Sequence, residues 1–526
     1  MGEPDLFLHP EVILEPLVDR WYAWSHLISP ATAALNIVRR HLKIMDSYVQ
    51  APMVHAAAVR NPAMIGGPFL DCGGKRVEEV RSLVAQTRRD RSQLLRLSEA
   101  LIALSQLLEQ HTTGETLEPL YADIPDELRG YVELVYDLNH RPSFRLLEAL
   151  LYQSPYMDDS AQSIVLRRAP GQRPFVGSTP RLDAPDQLHL TWPLADPRID
   201  TLARLRHVGR PKSELLAELG LDADEEALFL SFLTPERSAR HTPPAAARCR
   251  YLGHACLLFE TPETAVLVDP FINHGTGEES FTYADLPPYI DTVLVTHNHK
   301  DHMPLETLLE LRHRVGTIVV PRSSGGALQD PSLALMLRHV GFENVVQVDD
   351  LDVLRSGDVT ITAVPFLGEH GDLDIRSKSA YALRIGDFTA LLAADSRNVE
   401  PKTYTHLRRV LGPIDTLFLG MECDGAPVSW VYGPLFPGGI QRRQDQHRRL
   451  AGSDCVRGVA MAEALGCRAA YVYAMGLEPW LSYIIATNYT PDSHPIVQAN
   501  ALVAHFQDQG LQAELLRSRR EWTDLV

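Results

Sequence analysis

The stretch Asp291–Pro304, DTVLVTHNHKDHMP, decides how the rest of the 526-residue chain is read. Its first half, TVLVT, is an unbroken aliphatic and β-branched run, the pattern of a strand covered on both faces. Its second half sets His297, His299, Asp301 and His302 directly after that strand. In an extended segment i, i+2 and i+4 point to one side, so His297, His299 and Asp301 converge at the strand end. His302 swings in as the chain turns into a helix starting near Pro304. Four ligand-type side chains in six residues, divided as two histidines and then an aspartate and a histidine, suit two adjacent metal ions.

Around this stretch the texture is short and β-branched, with Gly, Pro and Asp as punctuation. ACLLFE, AVLVDP, TIVVP, VTITAVPF, YALRIGD, FTALLAADS, TLFLGM and AAYVYAM read as further strands, and PLETLLELRHRVG and LALMLRHVGF as intervening helices. This is a layered α/β domain over residues 250–526. Upstream, residues 241–249 fall in a segment rich in Pro, Ala and Arg, Thr234 to Arg250, which reads as a linker. Residues 1–240 are mainly helical with some strand, such as LHLTWPLA. Leu94, Leu97, Leu101, Leu104 and Leu108 make one apolar stripe on a long helix within Val77 to Gln110.

Composition bounds the function. With 50 Lys+Arg against 67 Asp+Glu the formal net charge is −17, and no lysine-rich run offers phosphate contacts, so nucleic acid is not an expected partner. No apolar run has the length of a bilayer span and the start is acidic and proline-broken, so the expectation is a cytoplasmic chain without a membrane partner. The six cysteines form no CxxC pair, and buried free thiols are expected.

The HxHxDH pattern resembles the signature of the metallo-β-lactamase superfamily, and the flanking YLGHACLLFE and VLVDPF resemble it too. The resemblance implies an αββα sandwich with a dinuclear site at the sheet edges, preceded here by a helix-rich α+β domain. It also implies a bridging carboxylate, matched by Asp395 in FTALLAADS. Where the superfamily places a third histidine, LGEHGD offers both Glu369 and His370, and spacing alone leaves the choice open. A glutamate would make the pocket harder and more anionic, favouring iron over zinc.

A narrower resemblance covers nearly the whole chain. GEHGDLDIRSKSAY, GMECDGAPVSWVYGPLF, YVYAMGLEPW, WYAWSHLISP and PMVHAAAVRNPAMIGGP are similar to the diiron aminoacyl β-hydroxylases of nonribosomal peptide synthesis. That resemblance assigns the customary histidine's place to Glu369. It implies two iron ions, dioxygen as co-substrate, an external electron donor and its reductase, and a substrate carried as a thioester on a carrier domain. It gives the N-terminal domain roles in dimerisation and substrate access. The expected metal ligands are His297, His299, Asp301, His302, Glu369 and Asp395, closed by His494 on a Pro-flanked loop, with Glu478 as rival, while His505 falls in a helix-like pattern. Glu422, a carboxylate at a strand end after TLFLGM, is expected either to orient a ligand or relay protons, or to be a solvated turn acid. The alternative activity is a dinuclear zinc hydrolase, a thioesterase or lactonase, with His370 as ligand.

For the remaining features the packing interpretation is the expectation. His254 in LGHAC is assigned to scaffold, and Trp21, Tyr22 and Trp24 to a core or subunit interface. QRRQDQHRR, with Arg442, Arg443, Arg448 and Arg449, reads by default as a solvated helical face, with contact to an acidic carrier protein as the weaker alternative.

Overall fold

The computed structural model describes residues 3–111, 114–275, 280–523 and 525. Two seven-stranded sheets make the frame of the second half. In the first, Arg248–Gly253, Cys256–Glu260 and Ala265–Val268 run antiparallel. Ile290–Leu294, Val315–Pro321 and Val345–Val348 then add in parallel, while Arg520–Thr523 pairs on the far side of Arg248–Gly253. In the second, Val353–Ser356, Val359–Val364, Ala380–Ile385 and Phe388–Leu392 are antiparallel and Thr416–Gly420, Ala469–Tyr473 and Gln512–Leu515 parallel. Every strand expected from the β-branched runs is present.

Both sheets are covered on both faces, which is why their central strands are continuously apolar. Phe259, Val268 and Leu294 of one sheet meet Ile361, Tyr381, Leu392 and Phe418 of the other between the layers. The outer face of the second sheet buries Leu391, Leu417 and Val472 against helices Lys402–Leu411, Cys455–Leu465 and His494–Asp508. The outer face of the first sheet buries Leu258, Leu267 and Val293 under Leu305–Leu311 and Leu333–His339. That core runs without a break into Leu14, Leu97, Leu101 and Leu202 of the N-terminal half.

The N-terminal half differs from expectation in one element. The long helix is two, Val77–Asp90 and Ser92–Glu109, with the entire leucine stripe buried on the second. They break at Arg91, whose Nε donates to Asp19 Oδ1 at 2.7 Å and whose other arm reaches Asp158. The Pro- and Ala-rich segment after Thr234 carries no helix. It is tied down where Arg240 and His241 donate their backbone N–H groups to Ala284, and Arg248 already belongs to the first strand of the sheet.

The two halves are also locked by charge. Fully buried Glu15 accepts from Arg173 and Arg181 at 2.6 Å and Arg167 at 3.1 Å, and Arg173 donates on to Glu306 of the helix Leu305–Leu311 at 2.7 Å. Burial opposes ionisation of Glu15, but Arg181 and Arg173 outweigh it and hold the carboxyl well below the usual range. The six cysteines are free thiols, three of them buried. No described helix is long and apolar enough to cross a membrane.

Candidate metal centre

The loops leaving the C-terminal ends of the parallel strands carry the site, as is general for open α/β sheets. Ile290–Leu294 runs out into Thr296 to His302, Phe388–Leu392 into Asp395, and Thr416–Gly420 into Glu422. His297 Nε2 lies 3.1 Å from His299 Nδ1 and 3.6 Å from Asp395 Oδ2, and His302 Nε2 lies 3.1 Å from the same Asp395 oxygen. Glu369 Oε1 is 3.4 Å from His299 Nδ1. Two overlapping groups result, His297 with His299, Glu369 and His370, and His297 with His302 and Asp395; beside them stands a third, His254 with Asp301 and His302. Asp395 thus sits between the two halves of the HxHxDH loop.

The imidazole orientations are fixed from behind. Thr296 gives both its N–H and its hydroxyl to Asp269, at 2.7 and 2.6 Å, so its oxygen is free to accept from His297 Nδ1 at 3.0 Å. Asp269 also accepts from His302 Nδ1 at 2.7 Å. Both histidines therefore turn Nε2 toward the centre. His299 is reversed, with Nε2 toward the Tyr432 hydroxyl at 3.4 Å and Nδ1 inward.

Backbone strain concentrates here. Glu369, His254, Asp269 and Ala394 have φ of 65°, 51°, 41° and 46°, left-handed values that cost non-glycine residues on the order of 1 kcal/mol or more each. Close-packed ligand atoms concentrate here too: His370 Nδ1 lies 2.6 Å from Glu369 Oε2 and His302 Nε2 3.1 Å from Asp395 Oδ2, while His370 Nε2 and Asp395 Oδ1 are buried without a hydrogen-bond partner among the described residues. Leaving such atoms unmatched in one buried spot is costly unless something else satisfies them. Imidazoles and carboxylates aimed at a common point are the donor set of a pair of divalent ions, so the residues fit two irons. Burial raises Glu369 to about 7, and burial with the Asp395 and Asp301 charges raises Glu422 to about 8. Cations at the centre would reverse both shifts.

Each expected residue can now be placed. His297, His299, Asp301, His302, Glu369 and Asp395 come together. Both Glu369 and His370 reach the cluster, but of the two only Glu369 also lines the cavity that opens onto it. His494 does not join. It starts the helix His494–Asp508 on the cavity rim, more than half exposed, with Nδ1 3.1 Å from Asp424 Oδ2 and Cys423 Sγ 3.7 Å away. In its stead Glu422 faces the cavity together with Asp395 and Asp301, so it is no solvated turn acid. The rival is elsewhere: Glu478 accepts from the Tyr251 hydroxyl and the His254 N–H; His505 lies on a helix beside Gln509.

Two packing assignments need correction. His254 is more than scaffold: its Nε2 lies 3.1 Å from Asp301 Oδ2. Burial alone would raise the Asp301 carboxyl, but this hydrogen bond, with the His302 charge, holds it below its usual range. Trp21 is core, stacked on His41 at 3.9 Å, but Trp24 lines the cavity, and Lys300 Nζ sits 4.2 Å over its ring. Lys300 forms no hydrogen bond or ion pair with a described residue.

Sequence reading missed the support from the N-terminal half. Ser25 Oγ donates to Asn298 Oδ1 at 2.5 Å, so the WYAWSH segment props the loop between two ligand histidines. A π-helical turn, Ile37–His41, follows, a feature often found at functional sites. It sends Arg39 to the carbonyls of Pro434 and Phe436 and Arg40 to those of Trp430 and Val431. The cavity, about 590 Å³, is consequently walled by Trp24, Arg40 and Ile65 from one half and by Trp430, Ile485 and Tyr489 from the other.

Comparison with known proteins agrees with this architecture. The diiron non-heme β-hydroxylase N-terminal domain family matches residues 7–236, and the β-lactamase superfamily domain matches residues 264–426. The 4-amino-L-phenylalanyl-[CmlP-peptidyl-carrier-protein] 3-hydroxylase of Streptomyces venezuelae is 42% identical over 526 residues, 98% of each chain. The crystal structure of CmlA, a diiron β-hydroxylase from Streptomyces venezuelae, superposes with a TM-score of 0.93 at 40% identity, covering 99% of this chain and 100% of that one. A mutant of CmlA gives a TM-score of 0.91. A ligand cluster on a metallo-β-lactamase sandwich, walled by a helix-rich domain of this kind, places the chain in the family of diiron non-heme β-hydroxylases.

Proposed function

We propose that the protein hydroxylates the β-carbon of an amino acid held as a thioester on a carrier domain of a nonribosomal peptide synthetase. The observation that carries this is Glu369, a buried carboxylate facing both the histidine cluster and a cavity that the N-terminal half helps to wall. His297, His299 and Glu369 would hold one iron, Asp301 and His302 the other, and Asp395 would span both, with Glu422 in place of His494 on the open side. Two bound ferrous ions would supply the reduction of dioxygen, one oxygen atom going to the substrate and the other to water, with two electrons from an external reductase.

This chain's residues do the rest. Asp269 and Thr296 hold His297 and His302 in the tautomer that turns Nε2 inward. His254 holds the Asp301 carboxylate ionised. The Glu422 carboxyl faces the cavity beside Tyr489, on the open side of the cluster. Trp24, Ile65 and Trp430 would position the substrate's side chain and keep water from it.

The division into residues 1–240, a connecting segment 241–249 and a metal domain 250–526 belongs to the same proposal, as do a reductase partner, a homodimer and a cytoplasmic setting, which rest on the resemblance and the composition. The zinc hydrolase alternative is set aside by likeness to a hydroxylase across both halves. Protein grown in iron-57 medium is expected to hold two coupled irons by Mössbauer spectroscopy. With a reductant and dioxygen it is expected to add one oxygen atom to carrier-bound amino acid, read by intact-protein mass. Two zincs under iron-replete growth, or cleavage of the thioester, would refute the proposal.

A further inference from the structure

The cavity's outer wall carries a group of exposed arginines on a chain of net negative charge. Residues 442–450 are strapped along residues 426–432. Val428 N–H donates to Arg448 O at 2.9 Å, Leu450 N–H donates to Ala426 O at 2.8 Å, and Pro427 bridges Arg449. The single acid of the short helix Arg442–His447, Asp445, is spent on Ser429, whose N–H and hydroxyl both donate to it at 2.8 Å. Arg442, Arg443 and Arg449 are exposed and none has a carboxylate partner among the described residues. The same wall presents Trp430, which is 41% exposed yet lines the cavity and so marks its mouth. Met64, 39% exposed, lies two residues before Gly66, where an added Cβ would lie 2.4 Å from the Trp430 ring.

Uncompensated arginines around an exposed tryptophan at a cavity mouth, on a chain of formal net charge −17, are an electrostatic anomaly. On a chain of that net charge, an acidic partner is steered toward exposed arginines such as these. Arginine and tryptophan are also the residue types that carry binding energy at protein interfaces. We infer that Arg442, Arg443, Arg449 and Trp430 form the docking surface for the acidic face of the carrier domain, seating it so that its prosthetic arm enters beside Trp430. This deepens the carrier-bound hydroxylation reading and rests on it.

The test uses the full-length iron-loaded protein and the peptidyl carrier domain of CmlP, loaded with 4-amino-L-phenylalanine and labelled for fluorescence anisotropy. Wild-type binding is expected to weaken steeply as salt rises from 50 to roughly 300 mM. The triple variant Arg442→Glu, Arg443→Glu, Arg449→Glu is expected to bind about tenfold more weakly or worse, with iron content unchanged. The milder Arg442→Gln, Arg449→Gln pair, expected to weaken binding by about threefold, guards against misfolding of the first. Turnover of the free aminoacyl pantetheine thioester is expected to stay within twofold in all variants, since it bypasses docking. Salt-insensitive wild-type binding, or equal carrier affinity in the variants, overturns the surface. A protein that binds the carrier through these residues yet never hydroxylates it leaves the surface standing and refutes the reaction instead.

Discussion

A Cβ on Gly420 would lie 2.6 Å from Asp395 Oδ1 and 2.9 Å from Ala394 O, so the strand Thr416–Gly420 ends in the one residue type that lets the central carboxylate pass. Gly420→Ala is expected to fold but lose at least one metal per chain, read by metal analysis alongside circular dichroism. His254→Ala removes the hydrogen bond to Asp301 without removing a ligand. It is expected to weaken one of the two metal sites by about 10- to 100-fold in a chelator competition and leave the other untouched. These residues also show what a single sequence discloses. The HxHxDH group was legible because its members lie within six positions and strand geometry alone brings them together. His254 and Trp24 reach the site from two separate elements and nothing local to either signals it, while Glu422 showed only as a carboxylate at a strand end with its role left open. His494 misled because a histidine flanked by proline looks like a loop ligand, whereas that proline occupies the first turn of a helix that turns the imidazole toward Asp424.

Among the elements, the central strands could be read because burial on both faces leaves them uniformly apolar. Val345–Val348, Val353–Ser356, Gln512–Leu515 and Arg520–Thr523 lie at or near sheet edges and are short or polar, so they carried no such pattern. The break between Val77–Asp90 and Ser92–Glu109 was hidden for another reason. Arg91 is a good helix former by propensity, and only its pairing with Asp19 and Asp158 pulls it out of line. Arg91→Ala would leave Asp19 buried without its partner and is expected to cost about 3 kcal/mol in urea unfolding.

The turn Glu148–Leu151 carries a pH dependence across to the other half of the chain. Buried Glu148 accepts the Ser332 N–H at 2.8 Å, and burial raises its carboxyl from 4.5 to about 7. Between those values the folded protein keeps a proton that the unfolded chain has lost. Its contribution to stability is therefore full below about 4.5 and disappears as pH rises through about 7. Glu148→Gln is expected to flatten the fall in Tm between pH 5 and 8, followed by scanning calorimetry.

For the molecule as a whole, the continuous core beneath the first sheet and the Glu15, Arg173 and Glu306 cluster make the two halves thermodynamically inseparable. Expressed alone, residues 241–526 would expose the apolar outer layer of Leu305–Leu311 and leave Glu306 and Glu310 buried without their arginines. That fragment is expected to be insoluble or to bind a hydrophobic dye, in contrast to the full chain. The apparent linker at Thr234 to Arg250 thus marks a change of sequence texture, not a place where the protein can be cut.

The strand Arg520–Thr523, seated beside Arg248–Gly253 with Glu521 opposite Arg250, has a consequence for biosynthesis. During translation the ribosome delivers one side of this ladder long before the other, and until the late strand emerges the early one presents bare amides and carbonyls to its surroundings. Nascent chains are open to mispairing with one another for that whole interval, and a transcript cut short just upstream of codon 520 would leave the vulnerability permanent.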